Sequence, residues 1–349
     1  MSKEIIKLLA DANIHSYGSI EIEKFEKQMA RYFEREYKRW QGNSELPEQY
    51  NLSSFEGELA KKETNSETIE HYNNEFALYQ AFLDKEFMAY TMAYYGADDN
   101  SPVINEKLSL EQAQIEKYKL LVERAEIKDG HNILDLGCGF GGFMKYLLET
   151  FPNVTVTGIN PSVVQSKYVT ESLIKYNSRC KLVSKYIGET KSDEIAPNSY
   201  DRIVSIGALE HFTNFDLLFK HLEKILKPGG KCLHHIIVSV DTIPQFLNAE
   251  STLMADYFPG GHIWPYKELQ RHNKHLRFVN SWYINGLNYW KTLDEWHKRY
   301  WDSIEHLYPK YLTLNEVEHW NKYFSLCKAI FLPNRGKSNG NAHYLYEKT

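Results

Sequence analysis

Residues 132–142 read NILDLGCGFGG, and this stretch decides the fold of the chain. Asn132 to Asp135 has the character of the end of a buried strand, and Gly137 to Gly142 is a glycine-rich turn. Helical spacing of apolar residues follows from Phe143 to Thr150. Glycine lets the backbone approach a ligand closely, and a helix N-terminus presents N–H groups to it. The strand, turn and helix together therefore predict a pocket for a nucleotide-like ligand.

Two ligand classes compete for this pocket. Gly137, Gly139 and Gly142 match the G-x-G-x-x-G spacing of dinucleotide sites. Asp135 favours a different ligand, because a carboxylate beside the turn would repel a pyrophosphate and attract a cationic ligand. A dinucleotide site also expects an acidic residue about 20 positions further on, where this chain has Asn160. We therefore favour S-adenosylmethionine (SAM) over NAD, with a purely structural glycine turn as the third interpretation.

Composition limits the class of protein. The chain has 349 residues, of which 42% are hydrophobic, enough for a sizeable core in one large domain or two smaller ones. Its net charge is −5 and it has no long basic run, so we expect no nucleic-acid partner. The four cysteines are scattered without a C-x-x-C pair, which predicts neither a metal site nor a disulfide framework. Without a signal-peptide core or a long apolar run, we expect a soluble cytoplasmic protein.

The N-terminal part differs in pattern from the rest. From Ile20 to Trp40 the residues Phe25, Met29, Phe33 and Tyr37 recur at helical spacing, so we expect a helix that packs them inward as a cover; a lid or a membrane-facing helix is the alternative. Residues 41–68 are polar and predict a linker. We therefore divide the chain into an N-terminal helical extension with linker, 1–68, and a second domain, 69–349.

From Asn132 onward, predicted strands and helices alternate, which is typical of an α/β doubly wound, mostly parallel sheet. The predicted strands after the first are Val154–Ile159, Lys181–Ser184, Arg202–Ile206 and Lys231–Val240. The ligand is then expected over the carboxyl ends of the strands. Residues 241–333 are rich in aromatic residues and predict a cover over the pocket, and His343–Glu347 predicts an edge strand. The aromatic content of 14% fits either core packing or an aromatic-lined pocket for an apolar or cationic substrate.

The order and spacing of several motifs resemble class I SAM-dependent methyltransferases, with a seven-stranded Rossmann-like sheet. These motifs are LDLGCGFGG, VTGINPSVVQ, VSIGALEHF and LKPGG. More narrowly, the chain from about Glu70 to its C-terminus resembles the cyclopropane fatty acid synthase family and its sister group, the coclaurine-type N-methyltransferases. The segments that carry this resemblance are HYNNEFALYQAFLDKEFMAYTMAYY, SIGALEHF, LHHIIVS, YFPGGHIWP, NYWKTLDEW and YFSLCKAIF.

The resemblance implies a set of SAM-binding residues. They are Tyr90, Thr91, Asp135, Gly137, Cys138, Gly139, Asn160, Pro161, Gln165, Tyr186, Ile187 and Ile206. In the family the position of Asn160 is usually Thr, and a polar residue there can reach the ribose hydroxyls.

For the synthases, the resemblance implies attack of an alkene on the sulfonium methyl and removal of a proton by a bound bicarbonate. The matching residues here are Glu210, His235, Tyr289 and Cys327. Glu210 and His235 are expected at the ends of strands four and five, with His235, Tyr289 and the backbone near Met92 as donors to the anion. Glu210 would act through a shared proton or by keeping His235 protonated. The alternatives are a salt bridge or helix cap for Glu210 and His235, and core packing for Tyr289 and Cys327.

Two features weigh on the choice of reaction. The synthase cysteine at the position of Met92 is absent, and in the N-methyltransferases a Glu-His pair, here Glu210 and His211, handles the substrate amine. We expect first a methyl transfer to the C=C of a lipid acyl chain, with a hydrophobic or lipid substrate and contact with a membrane surface. N- or C-methylation of a small hydrophobic or amine metabolite is the alternative, and a SAM-binding protein without activity is the third. The oligomeric state stays open.

Overall fold

An eight-stranded sheet organises the computed structural model, which describes residues 3–50, 58–60, 76–98, 101–247, 258 and 260–349. The strands are β1 (Asn132–Leu136), β2 (Thr155–Ile159), β3 (Cys180–Val183), β4 (Tyr200–Ile206), β5 (Leu226–Ser239), β6 (Trp264–Pro265), β7 (Arg277–Ile284) and β8 (Asn339–Glu347). Their order is β3-β2-β1-β4-β5-β8-β7, and the two-residue β6 pairs with β5 beside this path. The strands from β3 to β5 run parallel, whereas β8 is antiparallel to both β5 and β7. The predicted mostly parallel sheet is confirmed, with β6 added to the seven-stranded path.

The C-terminal strand is the main departure from the expected topology. His343–Glu347 was expected at an edge, but this was wrong, because β8 begins at Asn339 and lies between β5 and β7. The edge strand on this side of the sheet is β7, which was not predicted from the sequence. Most of β7 is exposed or half-buried, so its residues lack the apolar alternation that marks a strand.

The helices cover both faces of the sheet, as expected for a doubly wound fold. They are α1 (Lys3–Asp11), α2 (Ile20–Trp40), α3 (Phe76–Phe82), α4 (Leu110–Arg124), α5 (Gly142–Thr150), α6 (Val163–Ser172), α7 (Phe215–Ile225), α8 (Pro244–Leu247), α9 (Leu287–Asp302), α10 (Ile304–Leu307), α11 (Leu314–Phe331) and α12 (Pro333–Gly336). Apolar residues of α4, α5 and α6 pack on one face, and those of α7 pack on the other. Among the helices in the described ranges, none has the length and apolar character that a bilayer span requires.

The N-terminal helix α2 packs on the C-terminal cover formed by α9 and α11. Phe33 and Tyr37 are buried, and Met29 is half-buried against the same core, as expected for an inward face. Phe25 is half-buried but is not part of that core. The Lys328 ammonium on α11 lies 2.6 Å from the Glu26 carboxylate on α2. Residues 51–57 and 61–68 of the predicted linker lie outside the described residues.

Candidate functional site

A pocket opens at the carboxyl ends of β1, β2 and β4, where the fold predicts a ligand. The space inside it, including its opening to solvent, is about 980 Å³. All twelve predicted cofactor residues line it: Tyr90, Thr91, Asp135, Gly137, Cys138, Gly139, Asn160, Pro161, Gln165, Tyr186, Ile187 and Ile206. Their direct contact with a ligand stays a prediction.

The glycine turn forms the floor of this pocket. Gly137 has a φ of +78°, and a Cβ there would lie 2.6 Å from the Cβ of Ala208. Gly139 has a φ of +54°, and a Cβ there would meet no heavy atom within 4 Å. Gly137 is therefore required by the protein itself, whereas the open side of Gly139 leaves space that a ligand can fill.

Asp135 gives the pocket its electrostatic character. The residue is 2% exposed, and burial raises the pKa of its carboxyl to about 7 while nearby Lys117 opposes that rise. Its Oδ1 atom has no hydrogen-bond partner within the described part of the chain. A buried carboxylate oxygen without a partner fits a cationic group of a ligand, such as the ammonium of SAM.

Lys117 is a residue of this site that the sequence analysis missed. It is 1% exposed, and its Nζ donates to Thr91 Oγ1 at 2.8 Å. Burial lowers the pKa of the ammonium to about 7, while Asp84 and Asp135 act to raise it. Its burial could have been predicted from helical spacing, because Lys117 lies on the same buried face of α4 as Leu110 and Leu121.

Asn160 supports the glycine turn. Its Nδ2 donates to the Gly139 carbonyl at 3.1 Å and to Gln165 Oε1 at 2.9 Å, and its Oδ1 accepts from the Ser162 N–H. The amide is thus engaged within the protein at both ends, which differs from the expected reach towards a ribose. A side chain at this position fixes the loop that shapes the pocket.

The predicted catalytic residues separate into different environments. His211 lines the pocket, and its Nδ1 lies 3.2 Å from the Gly260 carbonyl oxygen. Glu210 does not line the pocket; it is 1% exposed in a short turn after β4. Its Oε1 accepts from the Ile237 N–H at 2.9 Å, while its Oε2 has no partner among the residues described. Burial raises the pKa of Glu210 to about 7, although the Ile237 hydrogen bond opposes this.

His235 lies inside β5 rather than at its end. Its Nδ1 is 2.8 Å from His343 Nε2, and its Nε2 is 3.1 Å from Asn341 Nδ2. Burial, together with the charges of Lys117 and Arg124, lowers its pKa well below the ordinary value. Both ring nitrogens are thus bonded within the sheet, and the role of His235 as a donor to an anion stays a prediction.

Tyr289 and Cys327 lie in the aromatic cover instead. The Tyr289 ring stacks on Phe331 at 4.6 Å between centroids, and burial raises the pKa of the Cys327 thiol to about 12. The hydroxyls of Tyr90 and Tyr323 lie 3.0 Å apart and connect the pocket wall to this cover. Met92 is buried and does not line the pocket.

Comparison with known proteins agrees with this architecture. The family model "Mycolic acid cyclopropane synthetase" matches residues 60–338. (S)-Coclaurine N-methyltransferase of Thalictrum flavum subsp. glaucum is 28% identical over 257 residues, which cover 70% of each chain. Cyclopropane-fatty-acyl-phospholipid synthase of Escherichia coli (strain K12) is 31% identical over 246 residues, 69% of this chain and 59% of that protein.

A solved structure extends the similarity to the N-terminal helices. Coclaurine N-methyltransferase bound to N-methylheliamine and S-adenosylhomocysteine (SAH) matches with a TM-score of 0.81 at 20% identity. The match covers 99% of this chain and 100% of that chain. At this identity the match establishes the fold, including α1 and α2, which lie before the segment that the family model matches.

Proposed function

The chain belongs to the mycolic acid cyclopropane synthetase family and is a SAM-dependent methyltransferase, and from that premise we propose that it methylates the nitrogen of a compact amine. The observation that carries the proposal is the different environment of two histidines. His211 lines the pocket, whereas both ring nitrogens of His235 are bonded to other side chains. An imidazole that can act as a base therefore lies at the pocket wall, whereas the ring expected to donate to bicarbonate is bonded within the sheet.

We assign the cofactor to the pocket at the ends of β1, β2 and β4. When bound, SAM would supply an electrophilic methyl group: the amine lone pair would form the N–C bond while the C–S bond breaks and the sulfur leaves as the neutral thioether of SAH. Asp135 would hold the ammonium of the cofactor, because its Oδ1 lacks a partner in the described part of the protein. The open side of Gly139 would admit close approach of the ligand to the backbone. Gln165, Tyr186 and Ile187 would border the rest of the cofactor.

The acid–base chemistry falls to the Glu210-His211 pair. An amine reacts through its lone pair, so the site has to accept a proton. A carbonyl only accepts hydrogen bonds, so His211 Nδ1 is the donor to Gly260 O, and in the neutral ring Nε2 holds the lone pair. We propose that Nε2 takes the proton released from the substrate nitrogen. We propose Glu210, which precedes His211 in the chain and whose pKa is raised by burial, as the second acid–base group, acting from behind the pocket wall.

Methylation of a lipid alkene is the second candidate function. It is supported by the family model and by the E. coli synthase, which is 31% identical. The aromatic cover around Tyr289 and Cys327 also suits a carbocation. This function would require bicarbonate to be held by donors other than the engaged ring nitrogens of His235.

One experiment compares the two functions directly. The full chain is incubated with SAM and either aromatic amines or vesicles of unsaturated phospholipid, each with and without bicarbonate. SAH release is measured, and products are examined by mass spectrometry for one added methyl on the amine or one added CH₂ in the fatty acid. We expect amine methylation that ignores bicarbonate, and His211→Asn should lower kcat by about 100-fold.

The matched control is His306→Asn, an exposed histidine on α10, which should keep wild-type activity. Bicarbonate-dependent modification of the fatty acids, without methylated amine, would transfer the assignment to the lipid function. Amine methylation that survives His211→Asn would instead remove His211 from the proposed role.

A further inference from the structure

Buried polar side chains without partners are concentrated where β5 meets β8. Ser239 lies opposite Asn339, and Ile237 lies opposite Asn341 in the antiparallel register. Ser239, Asn339 and Asn341 are each at most 1% exposed. Within the described residues, Ser239 Oγ, both polar atoms of the Asn339 amide and Asn341 Oδ1 have no hydrogen-bond partner. Two facing residue pairs therefore hold four unpaired polar atoms.

These atoms share one face of the sheet. Alternate residues of a strand point to the same side, so Asn339 and Asn341 lie on the side of His343. Opposite residues of antiparallel strands have Cβ atoms about 5 Å apart, so Ser239 and Asn339 can contact the same small group. Asn341 donates or accepts one hydrogen bond with His235, and the other end of its amide stays without a partner whichever way the amide is turned.

The cluster is continuous with the acid–base pair. Glu210 is the residue before His211, and its carboxylate accepts a hydrogen bond from the N–H of Ile237. Ile237 is the residue opposite Asn341, and its side chain packs against the aromatic cover. The second oxygen of Glu210 also lacks a partner among the residues described. The unpaired groups thus extend from Glu210 to Asn341 and Asn339 on β8.

Buried polar groups are hydrogen-bonded in the great majority of cases, because leaving one unpaired costs free energy. Among the described residues, other such atoms include Gln114 Oε1, and His297 Nδ1 lies 3.9 Å from the charged Glu26 carboxylate. Two adjacent asparagine amides and a serine hydroxyl on one face form a set that offers both donors and acceptors. A hydrocarbon chain would leave all of them unpaired, and an ionic group would find no counter-charge on these three side chains.

We propose that Ser239, Asn339 and Asn341 form an acceptor subsite that binds a neutral hydroxyl group of the substrate. This inference rests on the proposed function, in which the substrate is a compact amine. The hydroxyl donates to an amide oxygen and accepts from an amide N–H or the Ser239 hydroxyl. The substrate class is therefore a hydroxyl-bearing amine, held by its hydroxyl at the acceptor subsite while its nitrogen reaches His211.

The test compares tyramine with phenethylamine, which lacks the hydroxyl. Wild-type protein should prefer tyramine by about 100-fold or more in kcat/KM, because sites that pair a substrate hydroxyl strongly reject the analogue without it. Asn339→Leu, which replaces the amide with an apolar group of similar size, should reduce this preference to within about threefold. An unchanged preference in Asn339→Leu would overturn the inference.

A thermal measurement separates a binding role from a structural one. Asn339→Leu should leave the Tm unchanged or raise it, because it removes two unpaired polar atoms. Asn321→Leu is the matched control, since the Asn321 amide accepts from Trp301 Nε1, contacts His297 Nε2 and donates to the His15 carbonyl. Its loss should lower the Tm by several degrees. A similar fall in Asn339→Leu would assign Asn339 to the fold and overturn the inference.

Failure of the proposed function is recognised separately. If neither amine is methylated, the acceptor subsite is still tested by adding phenol and measuring the Tm. Phenol should raise the Tm of wild-type protein and leave that of Asn339→Leu unchanged. Equal responses of the two proteins would overturn the acceptor subsite, whereas lack of amine turnover with a selective response to phenol would overturn only the amine assignment.

Discussion

The cofactor pocket and the acceptor subsite are built in opposite ways. Most of the pocket is formed by the ends of β1, β2 and β4 and the turns after them, within residues 135–212, and residues 88–91 and Tyr118 complete it. The proposed acceptor subsite depends on long-range pairing, because β8 lies between β5 and β7 and brings Asn339 opposite Ser239 and Asn341 opposite Ile237. Local glycine and strand patterns therefore shape the cofactor pocket, whereas long-range strand pairing shapes the proposed acceptor subsite.

Gly139→Val should produce the largest effect, and it should be confined to the cofactor pocket. The new side chain would fill the open space beside the glycine turn. We expect the affinity for SAH, measured by calorimetry, to fall by about 100-fold or more, or at least ~2.7 kcal/mol. Gly130→Val is the matched control, because Gly130 also has a positive φ, of +83°, with no heavy atom within 4 Å of a Cβ. Equal loss in both variants would attribute the effect to backbone strain.

Glu210→Gln tests the acid–base pair through stability. Burial raises the pKa of Glu210 from 4.5 to about 7, so between these values the folded protein keeps a proton that the unfolded chain has lost. Its contribution to the free energy of unfolding therefore falls as pH rises from 4.5 to 7 and is level above that range. Glu210→Gln should lack this fall, which is about 3 kcal/mol at most. Urea titrations at pH 4.5 and 8 measure it.

The control for this prediction is Glu171→Gln, at an exposed position on α6. Its free energy of unfolding should change between pH 4.5 and pH 8 by the same amount as that of the wild-type protein. If Glu210→Gln also shows this change, Glu210 is ionised throughout in the folded protein, and its assignment as a proton-exchanging group loses its physical basis.

The sequence predicted the cofactor half of the molecule well for a physical reason. The apolar strand, the glycine turn and the next helix interact locally, so their pattern predicted a pocket at the glycine turn. The resemblance to the methyltransferase family supplied the twelve residues, and all of them line that pocket. The role of Asn160 was harder to predict, because its hydrogen bonds to Gly139 and Gln165 depend on the folded shape of the turn. The sequence predicted that Asn160 lies at the pocket, and the structure adds that its side chain stabilises the glycine turn through these hydrogen bonds.

The acceptor half could not be predicted to the same degree. His235 was expected at a strand end, but the partners that engage it, His343 and Asn341, come from the far end of the chain. Strand β7 carries too little apolar alternation to be recognised, so β8 was expected at the edge of the sheet. With the wrong neighbour for β8, no local pattern could bring Ser239 and Asn339 together.

Lys117→Met should have a moderate effect that depends on pH. Removing the buried ammonium takes away the interaction that lowers the pKa of Asp135, so less of that carboxyl is ionised at neutral pH. We expect SAH affinity to fall by about tenfold at pH 7, the effect of roughly one pKa unit, and to recover towards wild type at pH 9. The control is Lys119→Met on the exposed face of α4. A loss that is the same at both pH values would indicate only the lost contact with Thr91.

The smallest expected effect concerns the connection between the two halves. Tyr90 lines the cofactor pocket, and its hydroxyl lies 3.0 Å from that of Tyr323 in the cover. One neutral hydrogen bond contributes about 1 kcal/mol, so Tyr90→Phe and Tyr323→Phe should each raise the KM of the acceptor by about fivefold. The effect of the double variant should be smaller than the sum of the two single effects, because both substitutions remove the bond that the two hydroxyls share. SAH affinity should change by less than about twofold in all three. If the two effects add in full, the hydroxyls act independently, and the cofactor pocket and the acceptor region are not coupled through this contact.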